Sequence, residues 1–214
     1  MVHLIVGYGE VGKALGKVLG KHQWLDRHSS HLIAVPDVIH ICIPYSKDFN
    51  KEVEDYKSCT SGPVIVHSSV PVGTCDKLGV VHSPIRGVHP NLEKGIRTFV
   101  KYFGGKNAKK AAKIFSDLGI KTKVYKDART TEAIKLWDTT QYGKLIMLEK
   151  QIYKWCQKNK VEFKEVYQNA NKDYNEGYTK LGMPHVVRPY LKHIEGPIGG
   201  HCVVPNAKLL KVKL

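Results

Sequence analysis

Residues Val6-Gly-Tyr-Gly-Glu-Val-Gly12 constrain this chain more than any other stretch. Just before them, His3-Leu-Ile-Val6 is a short apolar run suited to a buried strand. Just after, Val11, Leu15, Val18 and Leu19 recur at helical spacing up to about Lys21. A Gly-x-Gly-x-x-Gly set between a strand and a helix is a turn in which each glycine has a separate task. Gly7 permits the tight reversal, Gly9 lets a pyrophosphate approach the backbone, and Gly12 lets helix and strand pack closely. The helix start then presents open N–H groups and the positive end of its dipole to phosphates. With Tyr8, Glu10 and Val11 completing the loop, the expected site is one for a nicotinamide dinucleotide.

Asp26, near the end of the expected second strand, supplies an acid to accept from the ribose hydroxyls. It arrives sooner after Gly12 than the ~20 residues usual in such folds. Arg27 beside it would instead suit a 2′-phosphate, so NAD is expected and NADP is the alternative. Ile43 and Pro44 end the run Asp37-Val-Ile-His-Ile-Cys-Ile-Pro44. Ser68 and Ser69 follow the run Pro63-Val-Ile-Val-His67. Both pairs fall past the carboxyl ends of expected strands, where ligands of open α/β sheets bind. A strand-stopping proline and loop hydroxyls is an equal alternative for these positions taken alone.

Short apolar runs alternate with helical patterns up to about residue 127, with further strands at Gly79–His82, Thr98–Phe103 and Lys121–Tyr125. Helices are expected at Lys47–Cys59 and Lys106–Leu118. Beyond that the texture changes. A long helical pattern runs from Thr130 to about Asn159, a shorter one from Glu162 to Asn169, and a loop-rich tail from Tyr174 to Lys208. The expected fold is α/β, a Rossmann-type doubly wound parallel sheet over 1–127 followed by a smaller, mostly helical domain over 128–214 with one long central helix. That helix carries more apolar surface than the rest of its domain can cover, so residues 128–214 are expected to form a homodimer and to bind substrate.

Bulk composition narrows the classes. The longest apolar runs fall far short of the ~20 residues of a membrane span, and the N-terminus enters a strand directly, so neither membrane insertion nor export is expected. Five scattered cysteines without a Cys-x-x-Cys pair argue against a disulfide framework or zinc knuckle and for a reducing cytoplasm. The histidines show no metal-ligand spacing, so no metal is assigned. A net charge of +15 favours an anionic partner or simply solvated lysine-rich helix faces. No nucleic-acid-binding signature accompanies it, so nucleic acid is not the expected partner.

Several motifs then fall in one order. These are the glycine turn, Asp37–Pro44, Ser68-Ser-Val-Pro-Val-Gly-Thr74, Phe103-Gly-Gly105, Thr131-Glu-Ala-Ile-Lys-Leu136 and Gly196-Pro-Ile-Gly-Gly-His-Cys202. In this the chain resembles the UDP-glucose/GDP-mannose dehydrogenase family of nucleotide-sugar dehydrogenases, over almost its whole length. Such enzymes oxidise a sugar alcohol to a carboxylate in two hydride transfers, through a cysteine thiohemiacetal and thioester. The resemblance implies that Cys202, flanked by Gly199, Gly200 and His201, stands at the nucleophile. It implies that Lys135 stands where a lysine steadies oxyanionic intermediates, and that Ser69 replaces the usual threonine.

The pattern also departs from the family. Thr139 stands for its asparagine, Asn206 for its proton-transferring aspartate, and Pro84-Ile85 for its Pro-Glu. The family's third domain, which grips the nucleotide, has no counterpart before Leu214, so a shortened form is expected. The segment Ser83-Pro-Ile-Arg-Gly-Val-His-Pro90 is similar to the Gly-x-His-Pro loop of prephenate-type dehydrogenases, which would turn Arg86 and His89 toward the nicotinamide end. Arg188 is a further phosphate-binding candidate, with a solvated loop arginine the plainer reading.

The expected function is an NAD(P)-dependent oxidoreductase acting on a hydroxylated, anionic sugar or related metabolite. Cys202, Lys135, Ser69, Thr139 and Asn206 would be its catalytic and orienting residues. Beside it stand a non-catalytic dinucleotide-binding sensor and a basic protein associated with nucleic acid.

Overall fold

The computed structural model describes residues 1–198 and 202–214. Eight strands, β1 (His3–Val6), β2 (Gln23–Asp26), β3 (Ser29–His31), β4 (Val38–Ile41), β5 (Val64–Val66), β6 (Val81–His82), β7 (Lys101–Gly104) and β8 (Thr122–Tyr125), form one sheet. Its order is β3-β2-β1-β4-β5-β6-β7-β8. Strands β2, β1, β4, β5 and β6 run parallel, and β7 and β8 are parallel to each other. The chain leaves β1 toward β2 on one side and returns on the other to β4. The carboxyl ends of β1 and β4 therefore flank a topological switch point, where the crevice of an open α/β sheet lies.

The helices of this region are α1 (Glu10–Leu19), α2 (Phe49–Lys57), α3 (Thr74–Leu78), α4 (Leu92–Thr98) and α5 (Ala108–Ser116). Ile5, Leu15, Val18, Ile65, Ile96, Phe103 and Phe115 pack together on one face of the sheet. Leu4, Val6, Ile39, Ile41, Phe49, Val53, Val64 and Val66 pack on the other. Both faces are covered, which is why β1, β4 and β5 read as continuous apolar runs rather than as alternation.

After β8 comes α6 (Ala128–Asn159), then a π-helical stretch Lys164–Asn169, α7 (Ala170–Lys180) and α8 (Val203–Leu209). The chain divides into two compact units, Met1–Lys135 and Leu136–Leu214, so the division falls inside α6. Within the second unit Gly143 fits against Val203 and Leu214, where a Cβ would come within 2.5 Å of Val203 Cγ1. His193 Nδ1 donates to Glu149 Oε1 at 2.6 Å, and its ring stacks on Tyr153 at 3.6 Å between centroids. Among the described residues no helix is long and apolar enough to cross a membrane.

The expected α/β class with a helical second part is the observed one. Four local features differ from the expectation. Strand β3 folds back antiparallel on β2, pairing Asp26 with Ser29, although Ser-Ser-His carries no apolar signal. Strand β7 meets β6 antiparallel, at His82 and Gly104. It begins only at Lys101, because Leu92, Gly95 and Ile96 bury themselves at helical spacing and carry α4 through Thr98. In the tail expected to be loop, α7 and α8 form; α7 buries no residue, so its sequence lacks the apolar stripe that announces a helix.

The first unit also buries ionisable side chains. Burial holds His40 and His67 well below the ordinary imidazole value of 6.5, and His82 at about 3. Burial likewise drives Lys101 from 10.5 down to about 7. Below pH 6.5 the unfolded chain takes up histidine protons that the folded chain refuses, so stability falls with acid. Between the two lysine values the unfolded chain again holds the extra proton, so stability rises with pH from about 7 toward 10.5. Urea unfolding should show a gain of about 2 kcal/mol from pH 7 to pH 9, and Lys101→Met should flatten that limb while leaving the acid limb.

Candidate functional site

Gly7 ends β1 with φ of +88°, a conformation that side-chain-bearing residues avoid. A Cβ there would also meet the Cys42 carbonyl carbon at 2.9 Å. Its N–H donates to the Leu25 carbonyl at 2.8 Å, tying the turn to β2. Gly12 lies so close under the turn that a Cβ would fall 2.1 Å from the Gly7 carbonyl oxygen. Gly9 is different. It caps α1, and a Cβ there would have nothing within 4 Å. The packing inside the protein therefore explains Gly7 and Gly12 but not Gly9. Its open side at the start of a helix is the backbone surface that a pyrophosphate needs.

The rest of the loop is braced. Tyr8 stacks on Trp24 with centroids 4.8 Å apart, and its hydroxyl lies 2.8 Å from His22 Nε2. Glu10 is hydrogen-bonded to His89 Nδ1, so the loop after β6 reaches the start of α1. Val11 packs against the core on the sheet face that α1 covers. Arg86, the other candidate of that loop, lies over the Phe99 and Tyr102 rings at 5.2 and 5.1 Å and donates to the Tyr102 hydroxyl.

The strand ends bring several candidates to one edge. Asp26 is exposed at the end of β2, its Oδ1 accepting from the Arg27 N–H at 2.9 Å in the β2–β3 turn. Ile43 and Pro44 follow β4. Ser68 Oγ donates to the Ile43 carbonyl at 2.5 Å, and its own carbonyl lies 3.2 Å from His82 Nε2. Ser68 thus braces β4, β5 and β6 against one another, while Ser69 beside it is half-buried.

Lys135, near the same edge, is half-buried and donates to the Ile85 carbonyl at 3.0 Å. Two carboxylates hold the helix that carries it. Glu132 of α6 accepts from the Gly73 and Cys75 N–H groups at the start of α3. Asp76 of α3 accepts from the Ala128 and Arg129 N–H groups at the start of α6. Each helix thereby caps the other. Burial raises the Glu132 carboxyl above its ordinary value, more than these N–H groups lower it. Sequence reasoning passed over Glu132, Asp76, His82 and Lys101. The only available signal was an acid on an apolar helical stretch, which asks for a partner without naming it.

Cys202, Thr139 and Asn206 belong to the second unit. Cys202 is half-buried at the start of α8, and its carbonyl accepts from the Asn206 N–H at 3.0 Å. Asn206 Nδ2 donates to Thr139 Oγ1 at 2.9 Å, so these two substituted positions satisfy each other. Gly199, Gly200 and His201 lie outside the described residues. Arg188 sits 3.5 Å over the Tyr174 ring, with its N–H and carbonyl both bound by Asn175, which gives it a structural task.

A strand–glycine turn–helix at a switch point, followed by a long helix, defines a Rossmann-type α/β architecture. Solved structures with this fold include dehydrogenases of nucleotide sugars. The UDP-D-ManNAc dehydrogenase of Pyrococcus horikoshii superposes with a TM-score of 0.76 at 19% identity, over 98% of this chain and 63% of that one. The UDP-N-acetyl-mannosamine dehydrogenase of Staphylococcus aureus gives 0.69 at 19% identity, over 99% and 66%. The reductive aminase of Aspergillus terreus, in complex with NADPH and ethyl levulinate, gives 0.56 at 13% identity, over 85% and 74%. The present chain thus spans about two thirds of the length of these two nucleotide-sugar dehydrogenases. The chain matches no protein-family model and no curated protein sequence. The motif resemblance and the shared fold point the same way.

The glycines separate folding from binding. Gly12→Ala should cost about 2–3 kcal/mol in urea unfolding, because the Gly7 carbonyl must move. Gly9→Ala should unfold like the parent yet lose dinucleotide binding in calorimetric titration.

Proposed function

We propose that this chain is an NAD(P)-dependent oxidoreductase of the nucleotide-sugar dehydrogenase type, acting on a hydroxylated, anionic sugar or related metabolite. The observation that carries the reading is Gly9, whose missing side chain serves no contact within the protein. Gly7, Tyr8, Gly9, Glu10, Val11 and Gly12 would hold the pyrophosphate. Asp26 would accept from the adenosine ribose of NAD, and Arg27 beside it would favour NADP. Ile43, Pro44, Ser68 and Ser69 would line the carboxyl edge toward the nicotinamide. When bound, the dinucleotide supplies a hydride acceptor.

The protein's own groups do the remaining work. Lys135 carries a fixed positive charge on a braced helix, which suits stabilising the oxyanion of a hydroxyl being oxidised. Cys202 is the candidate for covalent or proton-handling chemistry, with Thr139 and Asn206 orienting substrate. Asn206 offers no base and Ile85 no acid, so activation of water for a second oxidation lacks its usual partners. A single hydride transfer is therefore the favoured reaction. The Asn206–Thr139 hydrogen bond also supports a second reading, a sensor that binds the dinucleotide without turning it over.

We place the protein in the cytoplasm, on its five free cysteines, and pair it as a homodimer along α6, where Trp137, Leu148 and Trp155 are 47%, 50% and 56% exposed. Light scattering at micromolar concentration should return twice the chain mass; a monomer overturns the dimer.

NAD or NADP at millimolar concentration should raise Tm by several degrees, since a ligand at 100 times its Kd adds about 2.7 kcal/mol. No shift with either overturns the cofactor reading. A screen of nucleotide sugars, polyols and hydroxy acids, followed by cofactor absorbance, should yield a substrate that Cys202→Ser turns over more slowly. Binding without turnover on any of them favours the sensor, and unchanged turnover by Cys202→Ser removes the cysteine from the chemistry.

A further inference from the structure

Four ionisable side chains stand in a line across the sheet face that α1 and α5 cover. His3 Nδ1 lies 3.0 Å from His40 Nε2, and His40 Nδ1 lies 3.0 Å from His67 Nε2. His67 Nδ1 is 2.6 Å from the Ser83 carbonyl oxygen and 3.5 Å from Lys101 Nζ. Lys101 Nζ also lies 3.3 and 3.5 Å from the Ser83 and Pro84 carbonyls. Their exposures are 8%, 0%, 3% and 5%, so all four are buried and His3, at the amino-terminal end, is the most exposed. The Phe115 ring meets His40 and His67 edge-on and lies 5.0 Å from Lys101 Nζ, sealing the middle.

While Lys101 is unloaded, the Ser83 carbonyl sets the hydrogen-bond roles along this line. A carbonyl oxygen only accepts, so His67 Nδ1 carries a hydrogen and its Nε2 is a bare acceptor. His40 Nδ1 must then donate to it, and His3 Nδ1 must donate to His40 Nε2. All three neutral rings share one tautomer, and the bare Nε2 of His3 is the outer end. Lys101 faces His67 Nδ1–H with a lone pair, which is the neutral amine.

We propose that His3, His40 and His67 form a proton path that loads and unloads the buried Lys101 from the amino-terminal edge of the sheet. A proton from water bonds to His3 Nε2, and the His3 Nδ1–H bond breaks as that hydrogen passes to His40 Nε2. The His40 Nδ1 hydrogen passes to His67 Nε2, and the His67 Nδ1 hydrogen to the Lys101 lone pair. One proton is taken up, nothing is oxidised, and each ring ends with its hydrogen on Nε2. The ammonium then donates to His67 Nδ1 and to the Ser83 and Pro84 carbonyls, and the His67 ring draws back from its 2.6 Å contact with Ser83, which no longer holds a hydrogen. Unloading is the reverse.

The surroundings keep both states accessible. Burial brings Lys101 to about 7; the Cys42 thiol beside it is raised to about 12 and stays neutral, and Lys135 adds repulsion. His67 faces Lys101, His40 and His82; His40 faces His3, Lys101 and His22; His3 faces the amino terminus, Asp37 and His22. Lys101 and Lys135 bind the consecutive carbonyls of residues 83–85. Loading Lys101 therefore sets a second positive charge near Lys135, controlled from the far edge of the sheet. This rests on the buried row itself and not on the dinucleotide reading.

The test is nitrogen-15 histidine NMR on the full chain from pH 6 to pH 9, with the Lys101 Cε signal followed in parallel. His40 and His67 should show Nδ1–H at pH 9 and Nε2–H at pH 6, switching with the midpoint of Lys101. Lys101→Met should hold both as Nδ1–H throughout, and His40→Phe should leave His67 as Nδ1–H at pH 6. Spectra of the parent chain alone decide the matter if a variant fails to fold. The path is overturned if His67 keeps Nδ1–H while Lys101 titrates, if Lys101 does not titrate in this range, or if the switch survives Lys101→Met.

Discussion

Two carboxylates exchange helix ends in the first unit, and the candidate site depends on that exchange. Asp76 at the start of α3 accepts from the first N–H groups of α6, and Glu132 in the first turns of α6 accepts from the N–H groups that open α3. Helix starts leave N–H groups without intrahelical acceptors, and leaving such groups unmet away from water costs about 1–3 kcal/mol each. Reciprocal capping meets that requirement for both helices and fixes the register of α6 on the sheet. Lys135, one turn beyond Glu132, is thereby held on the Ile85 carbonyl.

The glycine turn makes a similar demand on the other side of the switch point. Gly12 lies so near the Gly7 carbonyl that no side chain fits, and Gly7 adopts a φ that side chains disfavour. Both glycines are explained by folding. Packing within the protein gives no reason for Gly9. This difference is the support for the dinucleotide part of the proposed function.

Between these two anchors the sheet buries histidines and a lysine, a costly choice for a core. Hydrogen bonds compensate, but only in consistent patterns of tautomers, so His3, His40 and His67 act as a unit rather than as separate residues. The same row contributes to the pH dependence of stability and to the proposed proton path, because both follow from rings held neutral by burial.

Much of the architecture is legible in the sequence. The strand–turn–helix at residues 3–19, the apolar runs ending at Pro44 and His67, and the long pattern of α6 each carry a period or a punctuation that local chemistry enforces. Where the chain lacks an apolar signal, as in Ser29–His31 and in α7, the elements form through pairing and helix continuation that only the folded context supplies. Asp26, Ser68 and Lys135 stand out as candidates through strand ends and motif order. Glu132, Asp76 and Lys101 do not, because their partners are backbone groups far away in the sequence. The sequence alone determined the α/β class, the glycine turn and the residue types at the carboxyl edge, since periodicity and glycine geometry are local. Which buried acid caps which helix, and which histidine faces which, was decided only by the tertiary structure. Those contacts join segments 27 to 59 residues apart, and their energies exist only once water has been excluded.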